Sequence, residues 1–81
     1  MLEMLTNTKD RIVGIKQVLR AAENGELEII YIARDADLEI REKVLAVAEQ
    51  FEIRTEMAPS KAELGRAAGI DVEAACAALK K

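Results

Sequence analysis

Three side chains suited to contacts with phosphates and bases follow Gly14 closely. Lys16, Gln17 and Arg20 fall within one arc of about 100° when residues 15–24 are drawn as a helix. They would occupy its first turn and a half, beside backbone N–H groups that have no helical partner and attract anions such as phosphate. Two cations here run against the usual preference for acidic residues at a helix start. The cluster indicates either a site for an anionic ligand or an ordinary solvated helix face.

A second group of candidate residues lies in the last third of the chain. Ile70 and Val72 are two large apolar residues in a short loop after Gly69. They can pack beneath the preceding helix, or they can cover an unstacked base. Lys61 is an ordinary surface lysine unless it faces the same ligand, in which case it suits a phosphate. Gly14 either ends a strand or lets a ligand approach the backbone closely.

The composition excludes most catalytic and metal chemistry. The chain has no histidine, no tryptophan and one cysteine, Cys76, and aromatic residues make up 2% of it. This inventory rules out nucleophile pairs and metal sites that need histidine, and it rules out internal disulfides and zinc sites built from several thiolates. It also rules out base-stacking platforms built from aromatic residues. Asp35 and Asp37 resemble paired carboxylates, but helix capping after a strand explains them more simply. We expect no enzyme activity, cofactor or metal, and we expect Cys76 in the core.

The net charge of −3 is unevenly distributed along the chain. Residues 21–57 hold ten acidic and four basic residues, whereas residues 1–20 and 58–81 each hold more basic than acidic residues. The two ends of the chain can therefore share a less acidic surface if the fold brings them together. No apolar run reaches the roughly 18 residues of a membrane span, and the N-terminus lacks the features of a secretory signal.

Helices and strands alternate in the pattern of apolar residues. Helices are predicted at residues 15–24, 38–51 and 60–69, with one or two further turns at 2–9, and strands at 11–13, 28–34 and 53–57. The continuous apolar run 29–33 is typical of a strand covered on both faces. Ser60 and Glu63 have the spacing of a capping box at the start of the helix predicted at residues 60–69. The helix predicted at residues 38–51 has an apolar face that includes Phe51. The alanine-rich tail, residues 73–81, favours a helix by propensity but also suits a crowded central strand.

Three segments resemble those of the small bacterial members of the ribosomal protein L7Ae/L30e family, which binds kink-turn RNA. The segments are Gly14–Arg20, Ile29–Asp37 and Pro59–Val72. The resemblance extends over nearly the whole chain, from about Ile12 to Leu79. It implies an α/β fold, a three-layer α/β/α sandwich around a mixed four-stranded sheet. In that fold residues 74–79 form a strand and residues 1–81 form a single domain.

The resemblance also implies where RNA would bind. A kink-turn is a sharp bend flanked by tandem sheared G·A pairs, which expose guanine edges in the groove. Lys16 and Gln17 would hydrogen-bond to those edges, and Gly14 would permit close backbone approach. Arg20 and Lys61 would hold phosphates.

The loop around Ile70 completes the implied binding surface. Ile70 and Val72 would pack over an unstacked nucleotide, and Asp71 would bond to its base or sugar. Ile15 belongs to the same surface and stands where archaeal relatives have the threonine of a Gly-Thr-Asn-Glu motif.

We therefore predict a non-catalytic RNA-binding protein that recognises kink-turn RNA, either ribosomal RNA or structured non-coding RNA of the riboswitch type. We expect a cytoplasmic monomer that binds neither DNA nor membranes. The alternative is a protein–protein adaptor with the same fold that uses the acidic helix at residues 38–51.

Overall fold

The continuous apolar run at residues 29–33 lies in a central strand of the four-stranded sheet seen in the computed structural model, which describes residues 10–81. The strands are β1 (Arg11–Val13), β2 (Leu27–Ala33), β3 (Arg54–Ala58) and β4 (Cys76–Lys80). Their order is β1-β4-β2-β3, with β2 parallel to β3 and β4 antiparallel to both β1 and β2. The mixed four-stranded sheet implied by the resemblance is confirmed. The turns predicted at residues 2–9 lie outside the described residues.

Helices cover both faces of this sheet. They are α1 (Ile15–Glu23), α2 (Leu38–Gln50) and α3 (Lys61–Ala67). Successive side chains of a strand point to opposite faces, and in β2 Ile30 and Ile32 pack with α1 and α2 whereas Tyr31 packs with α3. Burying an isoleucine side chain in this way contributes about 1.5–3 kcal/mol. The predicted three-layer α/β/α sandwich is confirmed.

The alanine-rich tail forms a central strand rather than a helix. Cys76, Ala77 and Ala78 are fully buried, because β1 and β2 flank them and a helix layer covers each face. Small side chains suit this crowded position. Pairing with two neighbouring strands outweighs the helical preference of alanine, which is at most about 0.7 kcal/mol per residue over ordinary residues. The strand implied at residues 74–79 is confirmed, with its bounds at Cys76–Lys80.

The start of α3 is capped from two directions. Ser60 Oγ accepts a 3.1 Å hydrogen bond from Glu63 N, which is the contact that the capping-box spacing predicts. Asp35 Oδ1 accepts a 2.7 Å bond from Lys61 N, so Asp35 caps the helix after β3 rather than the helix after its own strand. The parallel strands β2 and β3 end side by side and bring Asp35 to α3. Asp37 occupies the N-cap position of α2, but within the described residues its side chain makes no capping hydrogen bond to this helix. The predicted capping contact of Asp37 is therefore wrong.

The predicted apolar face of the second helix is wrong at its last residue. α2 ends at Gln50, and Phe51 is 39% exposed. The chain turns away at Glu52, whose φ of 56° lies in the left-handed region that commonly ends helices. Val44 and Ala48 are the buried positions of this helix. The other predicted boundaries agree with the structure to within two residues.

Candidate nucleic-acid interface

The ends of β1, β2 and β3 and the start of β4 meet at one edge of the sheet. Gly14 N donates a 3.3 Å bond to the Cys76 carbonyl, and Ala33 N donates a 2.9 Å bond to the Ala75 carbonyl. Because β2 and β3 are parallel, the loops that follow them open on the same edge. The start of α1, the start of α3 and the segment before β4 are therefore neighbours, although they lie far apart in the sequence.

α1 begins at this edge with its positive end exposed. Gly14 is the N-cap residue and has a φ of 103°, and the first helical bond runs from Val18 N to Gly14 O at 3.0 Å. The N–H groups of residues 15–17 precede that bond, so no helical carbonyl accepts from them. The first turn has no acidic residue and carries Lys16. This end of α1 offers donors and positive charge to an anion or to a base acceptor.

Gly14 is in close contact with Gln17. A Cβ at position 14 would lie 2.6 Å from Gln17 Oε1, so the amide side chain folds back over the glycine. The positive φ also disfavours an L side chain at this position. Ile15 is half-buried and packs against the core between α1, α2 and the sheet. Its side chain therefore contributes to the core, and the part of it that is exposed lies at the helix start.

Lys16, Gln17 and Arg20 line one groove between α1 and the edge strand β1. All three side chains are exposed, and the groove has a volume of about 340 Å³. Ile12 and Ala21 form the apolar part of its lining. The three residues predicted to share a helical arc thus share one continuous surface, called the α1 groove below.

Lys80 also lines the α1 groove, and the sequence-based predictions missed it. Cys76 and Ala78 of β4 pack with α1 and α2, so the alternation of side chains along the strand directs Lys80 to the same side. The strand predicted from the sequence ended at residue 79. One further residue of strand would have placed this lysine beside α1.

The loop at residues 69–73 lines a second groove, the loop groove, which has a volume of about 530 Å³ and includes Arg66 of α3. Ile70 is half-buried against the core on the α3 face, whereas Val72 is 69% exposed. Asp71 is exposed between them. Of the two interpretations of this apolar pair, packing applies to Ile70, and Val72 is left available to cover a ligand.

Two close approaches fix the position of this loop. A Cβ at Gly65 of α3 would overlap the Val72 carbonyl, because the loop backbone crosses directly over the helix there. A Cβ at Gly69, where φ is 78°, would lie 2.7 Å from Arg11 Nη2, which reaches the loop from β1. Neither Gly65 nor Arg11 was predicted as a site residue. A glycine within a helix costs about 1 kcal/mol relative to alanine, and this cost is the one signal in the sequence for such an approach.

Lys61 is held at the same edge through its backbone. Its N–H donates to Asp35 Oδ1 at 2.7 Å, and its carbonyl accepts a 3.1 Å bond from Ala74 N. Its side chain does not line the α1 groove or the loop groove. The structure therefore brings Lys61 to the shared edge but not into either groove.

The Cys76 thiol of the described chain packs in the core. Burial raises the pKa of the Cys76 thiol to about 11, so the thiol stays protonated at neutral pH and packs as a small apolar side chain. The prediction that Cys76 is a core residue is confirmed. Within residues 10–81, no group of three His, Cys, Asp or Glu side chains is placed to hold a metal ion. No helix in this range has the length and apolar character needed to cross a bilayer.

The amino-acid sequence is similar to those of known proteins over most of its length. The profile of the ribosomal protein L7Ae/L30e/S12e/Gadd45 family matches residues 1–81. The chain is 40% identical over 79 residues to the RNA-binding protein BH0128 of Halalkalibacterium halodurans, covering 98% of this chain and 96% of that protein. It is 40% identical over 68 residues to the RNA-binding protein YbxF of Geobacillus stearothermophilus, covering 84% of this chain and 83% of that protein.

Solved structures share the same architecture. A 15.5 kD RNA binding protein of Giardia lamblia superposes with a TM-score of 0.87 at 26% identity, over 99% of this chain and 68% of that chain. A protein of unknown function from Bacillus halodurans superposes with a TM-score of 0.87 at 24% identity, over 99% of this chain and 80% of that chain, and shares the fold. The match to the family profile over the whole length, with relatives of 40% identity, shows that this chain belongs to the ribosomal protein L7Ae/L30e/S12e/Gadd45 family.

Proposed function

We propose that this protein binds RNA containing a kink-turn, and that it acts by binding alone, without catalysis. The observation that carries the proposal is the convergence of the start of α1 and the loop at residues 69–73 at one edge of the sheet. Relatives in the family bear the name RNA-binding protein, which supports RNA as the ligand. The bent shape is the discriminating feature, since the grooves of regular A-form RNA are hard for side chains to read.

The exposed start of α1 reads guanine edges in this proposal. Guanine presents two acceptors, O6 and N7, in the groove that the sheared pairs open. Lys16 supplies up to three donors, and the Gln17 amide supplies both a donor and an acceptor. Gln17 turns outward from its place over Gly14, and exposed side chains make such rotations within nanoseconds. The missing Cβ at Gly14 leaves room for the base edge beside the backbone.

Cations and the loop complete the contacts. Arg20 and Lys61 bond to phosphates on either side of the bend. Val72, with its exposed side chain, covers the unstacked nucleotide, while Ile70 supports it from the half-buried side. Asp71 accepts a hydrogen bond from that nucleotide's base or sugar.

Binding of this kind stabilises the bent RNA by selection. An RNA that exchanges between extended and bent forms shifts towards the form that the protein binds more tightly. Ribosomal RNA and structured non-coding RNA of the riboswitch type both contain such bends. We propose that the protein acts on such RNA in the cytoplasm as a monomer.

A binding experiment with paired variants tests the proposal. The wild-type protein is titrated against a kink-turn RNA and against a control RNA whose G·A pairs are converted to Watson–Crick pairs. The double variant Lys16→Ala, Gln17→Ala is expected to bind the kink-turn at least fivefold more weakly, a loss of about 1 kcal/mol, with an unchanged melting temperature. The matched control is Lys43→Ala, Gln50→Ala, which removes the same side-chain types from exposed positions of α2.

The control variant should bind both RNAs as the wild type does. Equal binding of the wild type to both RNAs, or no binding below about micromolar concentration, would overturn the kink-turn proposal. A fall in melting temperature without a loss of affinity in the Lys16, Gln17 variant would instead assign those residues a structural role.

A second candidate function is a protein–protein adaptor that uses α2. The observation that favours it is an exposed apolar pair on the outer face of this helix, Leu38 at 60% and Leu45 at 41% exposure. The two residues lie seven positions apart and therefore share one face, with Glu42 between them and Glu49 one turn beyond. Charge reversal at Glu42 and Glu49 on this face separates the two candidate functions, because neither residue lines the α1 groove or the loop groove.

A further inference from the structure

We propose that the α1 groove forms a second RNA contact, a backbone track that extends from the start of α1 to Lys80 and holds phosphates of the strand leaving the bend. This inference rests on the proposed function, because it assumes that RNA binds at the start of α1. It assigns to Lys80 a role that the sequence did not indicate. It also predicts that the bound RNA is longer than the bend itself.

Strand pairing and a backbone hydrogen bond fix the position of Lys80. Its N–H donates a 2.9 Å bond to the Asp10 carbonyl, and its Cα pairs with Leu27 of β2. Ala78, two residues earlier, packs on the α1 and α2 side of the sheet, whereas Leu79 packs on the α3 side. Lys80 thus extends on the α1 side, where its side chain lines the groove.

The groove has a length suited to more than one phosphate. Its helical wall runs from Lys16 to Asn24, which corresponds to about 12 Å of helix axis at 1.5 Å per residue. One strand of B-form DNA carries about one phosphate per 3.4 Å of its axis, which sets the scale for an RNA strand. The wall can therefore accompany about three phosphates beyond the bend.

The charge of the lining distinguishes this groove from the others described. Lys16, Arg20 and Lys80 face a single acidic residue, Glu26. A third groove lies where β2 and β3 begin and is lined in part by Lys81. Its two basic residues are balanced by two acidic ones. The loop groove has more acidic than basic residues in its lining. Although the whole chain has a net charge of −3, the α1 groove is a local site of positive charge.

Adjacent lysines at the end of the chain provide a matched pair of variants. Lys80 lines the α1 groove, and Lys81 lines the third groove with Glu28 and Arg54. Both are exposed, and the backbone bonds that hold them do not involve their side chains. Lys80→Ala and Lys81→Ala remove the same charge from neighbouring positions, so a general effect of net charge on RNA binding is the same in both.

The experiment measures the dissociation constant of each variant for a kink-turn RNA with long flanking helices, across a series of salt concentrations. Lys80→Ala is expected to weaken binding about three- to tenfold at low salt and to reduce the slope of log K against log salt by about 0.7–0.9, the value for one lost phosphate contact. Lys81→Ala is expected to leave both quantities at the wild-type values. With an RNA trimmed close to the bend, the two variants should bind alike.

The outcomes separate this inference from the proposed function. Equal slopes for Lys80→Ala and Lys81→Ala, with kink-turn binding by the wild type intact, overturn the track and leave the proposed function standing. A loss in Lys80→Ala that persists on the trimmed RNA also overturns the track, because the contact would then belong to the bend. A reduced slope for Lys80→Ala on duplex RNA without a bend also supports the track, because contacts to backbone phosphates do not need the bend. Absence of any RNA binding by the wild type overturns both.

Discussion

Cys76 lies directly beneath the proposed interface, and its chemistry is set by burial. Its carbonyl accepts the bond from Gly14 N that holds the start of α1 against the sheet, while its thiol is packed among the α1 and α2 core. Burial raises the pKa of this thiol to about 11, because a thiolate in that position would be a charge out of contact with water. The residue supports the proposed interface by packing and by the hydrogen bond that its carbonyl accepts.

The first prediction concerns the pH dependence of stability. Since the thiol pKa is about 11 in the fold against 9.0 for a free thiol, the unfolded chain loses this proton first as the pH rises. The free energy of unfolding should therefore be at its full value below about pH 9 and fall by about 2 kcal/mol as the pH approaches 11. Urea unfolding at a series of pH values measures this fall.

The control for that experiment is Cys76→Ala, which should show a flatter profile. Burial also raises the pKa of Tyr31, with Glu56 adding to the rise and Arg54 opposing it. Tyr31 is present in both proteins, so the difference between their profiles isolates Cys76. Identical pH profiles for the two proteins would contradict the prediction.

At the scale of elements, α3 and the loop that follows it act as one unit. Gly65 faces the Val72 backbone, Ile70 N donates a 3.1 Å bond to the Gly65 carbonyl, and Ala74 N is bonded to Lys61. The loop therefore folds back along the helix that precedes it. The exposure of Val72 is a consequence of this packing, because its backbone is fixed against the helix while its side chain points outward.

The second prediction is that Gly65→Ala destabilises the protein and weakens RNA binding together. In an exposed helix this change would stabilise by about 1 kcal/mol, but here the new methyl group meets the Val72 carbonyl and must displace the loop. Overpacking of this kind costs about 1–3 kcal/mol. We expect a lower melting temperature and a loss of kink-turn affinity, measured by thermal unfolding and by RNA titration.

Gly25→Ala is the matched control for the loop. Gly25 has a φ of 69°, and a Cβ added there would meet no atom within 4 Å, so alanine introduces backbone strain of about 1–2 kcal/mol without a steric clash. It lies in the turn before β2, away from the loop groove. Stability should fall while RNA affinity is kept. An equal loss of affinity in both variants would show that affinity follows stability rather than the position of the loop.

Elements with strong local signals were predictable from their own residues, whereas the strand at the tail and the cap of α3 by Asp35 depend on contacts distant in the sequence. The start of α3 follows from Ser60 and Glu63, and α1 follows from helical spacing, because both signals lie within a few residues. The strand β4 was hidden by alanine, whose helical preference is outweighed only by strand neighbours elsewhere in the chain. Asp35 caps α3 for the same reason, since two parallel strands bring the loops together.

At the scale of the whole molecule, the two ends of the described chain meet and carry the proposed site. β1 pairs with β4, which places the groove of Lys16 and Arg20 beside Lys80. The uneven charge of the sequence indicated that the ends could share a surface, and the sheet order supplies the reason. The sequence could not identify Arg11 or Lys80 as neighbours of the site, because their places depend on the register between two strands at opposite ends of the chain.

The acidic residues of α2 line neither the α1 groove nor the loop groove, and this difference yields the last prediction. The double variant Glu42→Lys, Glu49→Lys reverses two charges on the outer face of α2, beside Leu45. Neither of these residues lines the α1 groove or the loop groove. At about 150 mM salt the screening length is about 8 Å, so charges on α2 should change kink-turn affinity by less than about twofold. The control, Glu23→Lys with Glu28→Lys, changes the net charge equally at exposed positions outside α2.

If the adaptor function holds, the α2 variant alone loses a partner protein that the wild type binds, while both variants still bind the RNA. Loss of RNA binding in the α2 variant alone would place this helix in the RNA interface and contradict the arrangement proposed here.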